Sequence, residues 1–551
     1  MGDLSLAVRS VRIFARAKHV GRARFLLQAG LIVDRMIPAS CAAEMKLGGP
    51  MFTKGRKMKS FPARGAMSLF ARLLAAGAVS ALSLGCTLNN LAAQEVTSVL
   101  ERYAAQKALQ ARAYALTPAA GGGDRENESV TRLVAPTSLK EFIILALQEN
   151  PEIKQAEETA HAKAARIPQV TALPDPMLKT KTLPEPVRTA EGDNFFILGV
   201  SQKLPVPEKL DRAGRIALEE TRIALQELER VRLRVIADVK RAYFQLYAID
   251  KSIEITTENR DLMRGLIDVA IGQVEAGKRA QEDVLRAQVE LSNLEAQLVQ
   301  LGQRRITAVA MLNRQMDRPS ATPIAKPADF DVRQVDAKLE ELFEHAVKSN
   351  PELGRIERQI ERDREAVELA RLAYWPDFTI GFEWMLMESR EAFRPPPNPA
   401  TGMRPTVSKM SEDASDNWAI TFGLNIPIWR DKIEGGIREA KRRLGASQQQ
   451  YTSVRNSVYF RITDAFERVR SQRELADIFG YTIIPQAQQA YEVSRAGYVA
   501  GSSDFLYVID NWQKWLVFRI QYHRILGDLE RSVADLEQVL GMSLSEAGIS
   551  K

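Results

Sequence analysis

The feature that most constrains this chain is a phrase it uses twice. Residues 146–157 read ALQENPEIKQAE and residues 346–357 read AVKSNPELGRIE, 200 residues apart. The echo extends in order. LPDPMLKTKTL from Leu173 is answered by YWPDFTIGFEW from Tyr374, and FFILGVSQKLPVP from Phe195 by WAITFGLNIPIW from Trp418. A long polar-apolar stretch, Glu208 to Ala276, is answered by Asp431 to Ala500, and both stop at a glycine, Gly277 and Gly501. A period of this length governs the fold: the chain is two copies of one unit. The copies are 137–315 and 337–541, joined by a proline-rich linker at 316–336 and followed by a tail at 542–551.

The stretch Glu208 to Ala276 has no proline. As one helix it would run roughly 100 Å, too long for a compact globule. The segment that follows explains how it survives. Val284, Ala287, Leu291, Leu294, Leu298 and Leu301 are spaced three and four apart, a coiled-coil seam. The matching positions in the second copy are Val508, Asn511, Trp515, Phe518, Tyr522 and Ile525. Each copy therefore predicts a long helical hairpin turning at its glycine. By themselves these helices also fit a soluble coiled-coil stalk.

The strands favour another solution. Phe378, Ile380, Phe382, Trp384 and Leu386 alternate with small or polar residues, as do Trp418, Ile420, Phe422, Leu424 and Ile426. One face is apolar and aromatic, the other suited to a wet lumen, and the segments approach the 9–11 residues of a tilted transmembrane strand. In the first copy Phe196, Leu198 and Val200 alternate, while Lys179 and Lys181 are expected to face water. Four strands cannot close around a lumen, so several chains must contribute. Pro205 and Pro427 are expected to end strands ahead of the helices.

Charge separates the N-terminus from the rest. Residues 1–72 hold 14 Lys/Arg and 3 Asp/Glu; the remainder holds 62 and 66. The basic pI therefore gives no reason to expect a nucleic-acid partner. Residues 1–57 show no periodicity and read as a mis-assigned or disordered extension. Residues 58–86 read as a secretory signal, with Lys59, Arg64 and Arg72 before a short apolar run ending SLGC. Two processing routes fit: lipidation at Cys86, or cleavage after Ala93 in LAAQE. Residues 87–136 follow as an N-terminal equatorial segment. The 2 cysteines and 4 histidines form no disulfide framework or metal cluster. No cofactor is expected. The methionines of 384–413 read as a surface loop rather than a soft-metal site.

Duplication, paired strands, long hairpins and an export signal together resemble the TolC family of outer-membrane efflux channels. LPDP and the SLGC ending look most like its CzcC/CusC heavy-metal branch. The resemblance covers about residues 137–541. It implies an α+β membrane protein: a homotrimer whose strands form a twelve-stranded β-barrel, continuous with a twelve-helix periplasmic α-barrel. It also implies a passive exit duct in the outer membrane of a Gram-negative bacterium, in contact with outer-membrane lipid. An inner-membrane pump of the resistance-nodulation-division kind and a periplasmic adaptor would be its partners, and heavy-metal cations or drugs its cargo.

In that family, carboxylates and a tyrosine at the hairpin tips close the tunnel. The tips here read VEAGKRAQEDVLRAQ and YVAGSSDFLYVIDNW. The resemblance makes Asp283, Tyr498 and Asp510 the periplasmic gate, with Tyr507 where a further acid is usual. Three copies of Asp283 about a narrow axis would favour cations; alternatively Asp283 supports the N-terminus of its helix. Gly277, Lys278, Arg279, Gly501 and Ser502 are expected at the turns and toward the adaptor. Two other readings compete. A periplasmic coiled-coil adaptor (membrane fusion) protein would carry one hairpin and small β domains. An enzyme would need a phosphate loop, a triad or a partnered histidine, and His161, His345 and His523 show no such pattern.

Overall fold

The computed structural model describes residues 138–189, 192–330, 337–388, 397, 399–403 and 415–545. The N-terminal extension, the signal, Cys86, the 87–136 segment and parts of the linker, the 384–413 loop and the tail lie outside the described residues. The first copy comprises α1 (Leu139–Glu149), α2 (Pro151–Ala164), α3 (Arg166–Thr171), β1 (Met177–Thr189), β2 (Gly192–Leu204), α4 (Pro207–Glu275) and α5 (Gln281–Gln315). The second comprises α6 (Leu339–Ser349), α7 (Pro351–Arg371), β3 (Phe378–Glu388), β4 (Asn417–Leu424), α8 (Arg430–Ile478), α9 (Ile484–Val499) and α10 (Phe505–Leu540).

The repeated Asn-Pro-Glu is a clasp. Asn150 Oδ1 accepts from the backbone N–H of Glu152 and Ile153, capping α2, while Nδ2 donates to the Gln315 carbonyl at 2.9 Å, where α5 ends. Asn350 caps α7 through Glu352 and Leu353, and its amide donates to the Val539 carbonyl near the end of α10 at 2.6 Å. Proline takes the first helical position, where its missing N–H costs nothing. The glutamates then pair with the long helices, Glu152 with Arg234 and Glu352 with Arg461. Asparagine is required because one side chain must accept at one end and donate at the other.

Each clasp sits on its own apolar core. Phe142, Ala146, Ile153, Leu228, Val235 and Leu312 pack in the first copy. Leu342, Ala346, Leu353, Val458, Ile462 and Leu536 pack in the second. A third core, toward the tips, draws on both copies: Met263, Leu266, Ala287 and Leu294 with Tyr491, Tyr498, Phe505 and Trp512. Between them, the buried pair Lys240–Glu537 and the pair Arg519–Glu258 at 2.8 Å tie α4 to α10. His523, on α10, does have a partner: its Nδ1 lies 3.1 Å from the Tyr247 hydroxyl, and burial pushes its imidazole below the usual range.

The four strands form one antiparallel sheet in the order β1-β2-β3-β4, so the copies join at β2–β3. Val200 faces Phe382 and Phe382 faces Ile420 on the apolar side, while Ser201, Gly381 and Thr421 make a row on the other. Lys179 lies opposite Gly199, which lies opposite Glu383, so the lysine shares the small, polar face, as expected. The apolar face is uncovered: Phe422 is 79% exposed and Trp418 and Ile420 are exposed beside it. The single chain leaves this sheet open, with β1 and β4 as edges. Below it, Asp377 receives Lys203 at 3.1 Å and Lys209 at 2.7 Å, pinning the strand-to-helix junctions. β2 ends immediately before Pro205, and β4 ends three residues before Pro427.

The two long stretches differ. α4 is continuous over 69 residues. Its counterpart is broken by a π-turn, Phe479–Ile483, between α8 and α9. Pro485 has no N–H to return to the preceding turn, and its ring crowds that turn, so the helix widens locally.

Candidate functional site at the hairpin tips

Both hairpins turn by the same backbone device. Gly277 (φ +69°) and Gly501 (φ +82°) take left-handed conformations after their helices. Lys278 N–H reaches back to the Gln273 carbonyl at 3.0 Å and Ser502 N–H to the Gly497 carbonyl at 2.9 Å, the long bond of a Schellman cap. A β-carbon at either glycine would meet nothing within 4 Å. Backbone conformation, not crowding, calls for glycine here.

The tips lean on each other through side chains. Tyr498 is 0% exposed and its hydroxyl donates to Asp283 Oδ2 at 3.1 Å. Burial first, then the Asp283 carboxylate, pushes its phenol up to about 12. The ring tilts against Phe505 at 5.0 Å and lies under the Arg279 guanidinium, 5.1 Å from its centroid. Arg279 Nη2 also donates to the Ser503 carbonyl at 2.6 Å, and Gln273 reaches the Val499 carbonyl at 3.5 Å.

Asp283 occupies the first turn of α5, where an acid is favourable, and still directs its carboxylate to Tyr498. The first-turn position fits the helix-end reading, and the bond to Tyr498 joins the two tips within the chain. Arg279, expected beside the adaptor contacts, is half-buried and turned toward the other tip. Lys278, Gly277, Gly501 and Ser502 are exposed. Asp510 is exposed and pairs with Lys514 one turn along at 2.8 Å; within the chain it is not joined to Asp283. Tyr507, at the repeat position of Asp283, is 62% exposed.

Sequence reasoning missed Phe505 and Trp512. Trp512 is buried and donates from its indole N–H to Asn259 Oδ1 at 2.9 Å. Phe505, Val508, Trp512 and Leu516 carry their own spacing of three and four, which marks the true seam of α10. Carrying the first seam across by a fixed offset obscured it.

Comparison with known proteins identifies the arrangement. The family model for outer membrane efflux proteins matches residues 143–316 and 342–542, one match on each copy. The cobalt-zinc-cadmium resistance protein CzcC of Cupriavidus metallidurans is 23% identical over 417 residues, 74% of this chain and 90% of that protein. Among solved structures, CusC superposes with a TM-score of 0.61 at 15% identity, covering 78% of this chain and 96% of that one. The CmeC outer membrane channel of Campylobacter jejuni gives 0.60 at 15% identity, covering 77% and 90%. These likenesses carry the fold, and the family match sets the adaptor reading aside. The chain belongs to the outer membrane efflux protein family.

Proposed function

We propose that the chain is the exit duct of a tripartite efflux system. It works as a homotrimer that receives heavy-metal cations or drugs from an inner-membrane pump of the resistance-nodulation-division kind, through a periplasmic adaptor. The observation that carries this is the open four-stranded sheet with a bare aromatic face. Two unpaired edges and an apolar exterior are satisfied together when three sheets close edge to edge in lipid. The likeness to CzcC favours a divalent metal as cargo. No step here changes a bond; the chain supplies a passage. In the closed state the Tyr498–Asp283 contact keeps the two tips together, and three copies of Asp283 near the axis favour cations. Asp510 adds an exposed carboxylate to the gate from the second tip, and the exposed Lys278 and Ser502 present themselves to the adaptor. Cys86, ending the SLGC run, is the proposed site of a lipid anchor.

The test is reconstitution. Protein extracted from the outer membrane is expected to be a trimer with a tube about 100 Å long below a detergent belt. In planar bilayers it should show a low-conductance state, and Asp283→Asn should raise that conductance and weaken cation preference. A monomer without a membrane belt would defeat the duct. Wild-type conductance and selectivity in Asp283→Asn would defeat its gate.

A further inference from the structure

The tip contacts come from positions at which the two copies have diverged. At the turn the copies agree: Ala276 and Gly277 match Ala500 and Gly501, and Val284 matches Val508. The side chains that bridge the tips do not agree. Tyr498 stands where the first copy has Val274, and Asp283 where the second has Tyr507. Arg279 and Ser503 are equivalent positions, 224 residues apart, and they bond to one another. The turn is retained where the backbone demands it, and the bridge is built from differences.

Arg279 makes the most of them. From the first hairpin it grips the second twice, through the Ser503 carbonyl at 2.6 Å and by lying over the Tyr498 ring at 5.1 Å. The ring it covers is the one that donates to Asp283. Arginine suits both contacts at once, since its planar fork donates in one direction while its face stacks in another. Ser503 offers only its backbone oxygen, so the grip depends on Arg279 and not on the identity of its partner.

We propose that Arg279 is a positioning residue of the gate, a latch that holds Tyr498 in donating range of Asp283 and joins the two hairpin tips until the channel opens. This rests on the gate reading above and assigns Arg279 to closure rather than to the adaptor surface. Lysine at 279 would keep a donor for the carbonyl but lose the stacked plane; glutamine would lose the charge.

The experiment is single-channel recording on purified trimers without adaptor, comparing wild type, Arg279→Ala, Arg279→Lys, Arg279→Gln, Tyr498→Phe and Asp283→Asn. Trimer mass and adaptor capture are measured on the same samples. The latch predicts conductance raised at least twofold in Arg279→Ala and partly raised in Arg279→Lys and Arg279→Gln, with trimer mass unchanged. If Arg279→Ala fails to assemble, the Lys and Gln variants decide the matter by the same criterion. Raised conductance in Tyr498→Phe and Asp283→Asn, with every Arg279 variant at the wild-type level, overturns the latch and leaves the gate. Wild-type conductance throughout overturns both. Wild-type conductance with lost adaptor capture in Arg279→Ala makes Arg279 a docking residue and also overturns the latch.

Discussion

At the residue scale, the tip depends on one phenol being neutral. Tyr498 donates its proton to a carboxylate, which an ionised phenolate cannot do. Its pKa is raised from the ordinary 10 to about 12, so folding favours the protonated form. The contribution is complete below pH 10, where Tyr498 is neutral with or without the contact. It is lost as pH rises from 10 through about 12. Conductance of the wild-type channel is expected to climb over that window, and that of Tyr498→Phe to stay flat through it. A climb of equal size in both would mean that other groups drive the opening. Asp283 and Tyr498 could be named as tip residues from the resemblance, but not their bond. Nor could the grip of Arg279, because donation to a backbone carbonyl leaves no mark on the residue that supplies it. Asp510 is exposed and pairs with Lys514 on its own helix, a contact that its i,i+4 spacing made legible.

At the element scale, the duplicated phrase was legible as a repeat but not as a joint. Spacing announces an N-cap; it does not announce that the same asparagine reaches the end of a helix 165 residues away. The clasp predicts two separable effects. Asn150→Ala removes the cap and orphans the Gln315 carbonyl, about 2–3 kcal/mol in all. Asn150→Asp keeps the cap acceptor but sets a buried carboxylate oxygen against the Gln315 carbonyl, so a loss at least as large is expected, confined to the donor side. Hydrogen exchange reads the difference. In the alanine variant both the Glu152 and Ile153 amides and the end of α5 lose protection; in the aspartate variant only the end of α5 does. Asn350→Ala and Asn350→Asp should behave alike at α7 and α10. Equal loss at both sites in Asn150→Asp would show that the donor half is not separable. The long hairpins were readable because heptad spacing survives on the surface of the code. The break at the π-turn needed attention to Pro485, a single residue in a stretch otherwise rich in helix formers.

At the scale of the whole molecule, the chain carries apolar surface with no internal partner. On α5, opposite the buried seam, Val299 is 76% and Ile306 72% exposed, with Leu285 and Val289 on the same helix. Each would contribute about 2 kcal/mol if covered by a neighbouring copy. Val299→Glu with Ile306→Glu is expected to abolish the trimer while far-UV circular dichroism stays unchanged, since neither side chain packs within its own chain. A trimer of normal mass would place the interface elsewhere. The clasps give this architecture a mechanical meaning. α5 is fastened near Gln315 and runs about 50 Å to a turn held by the tip contacts of Asp283 and Arg279, a beam supported at both ends. A tilt of about 5° at the Gln315 end would swing the far end by roughly 4 Å, more than the reach of a hydrogen bond. Slack in two asparagines near the middle of the protein would therefore be felt as leakage at the distal mouth.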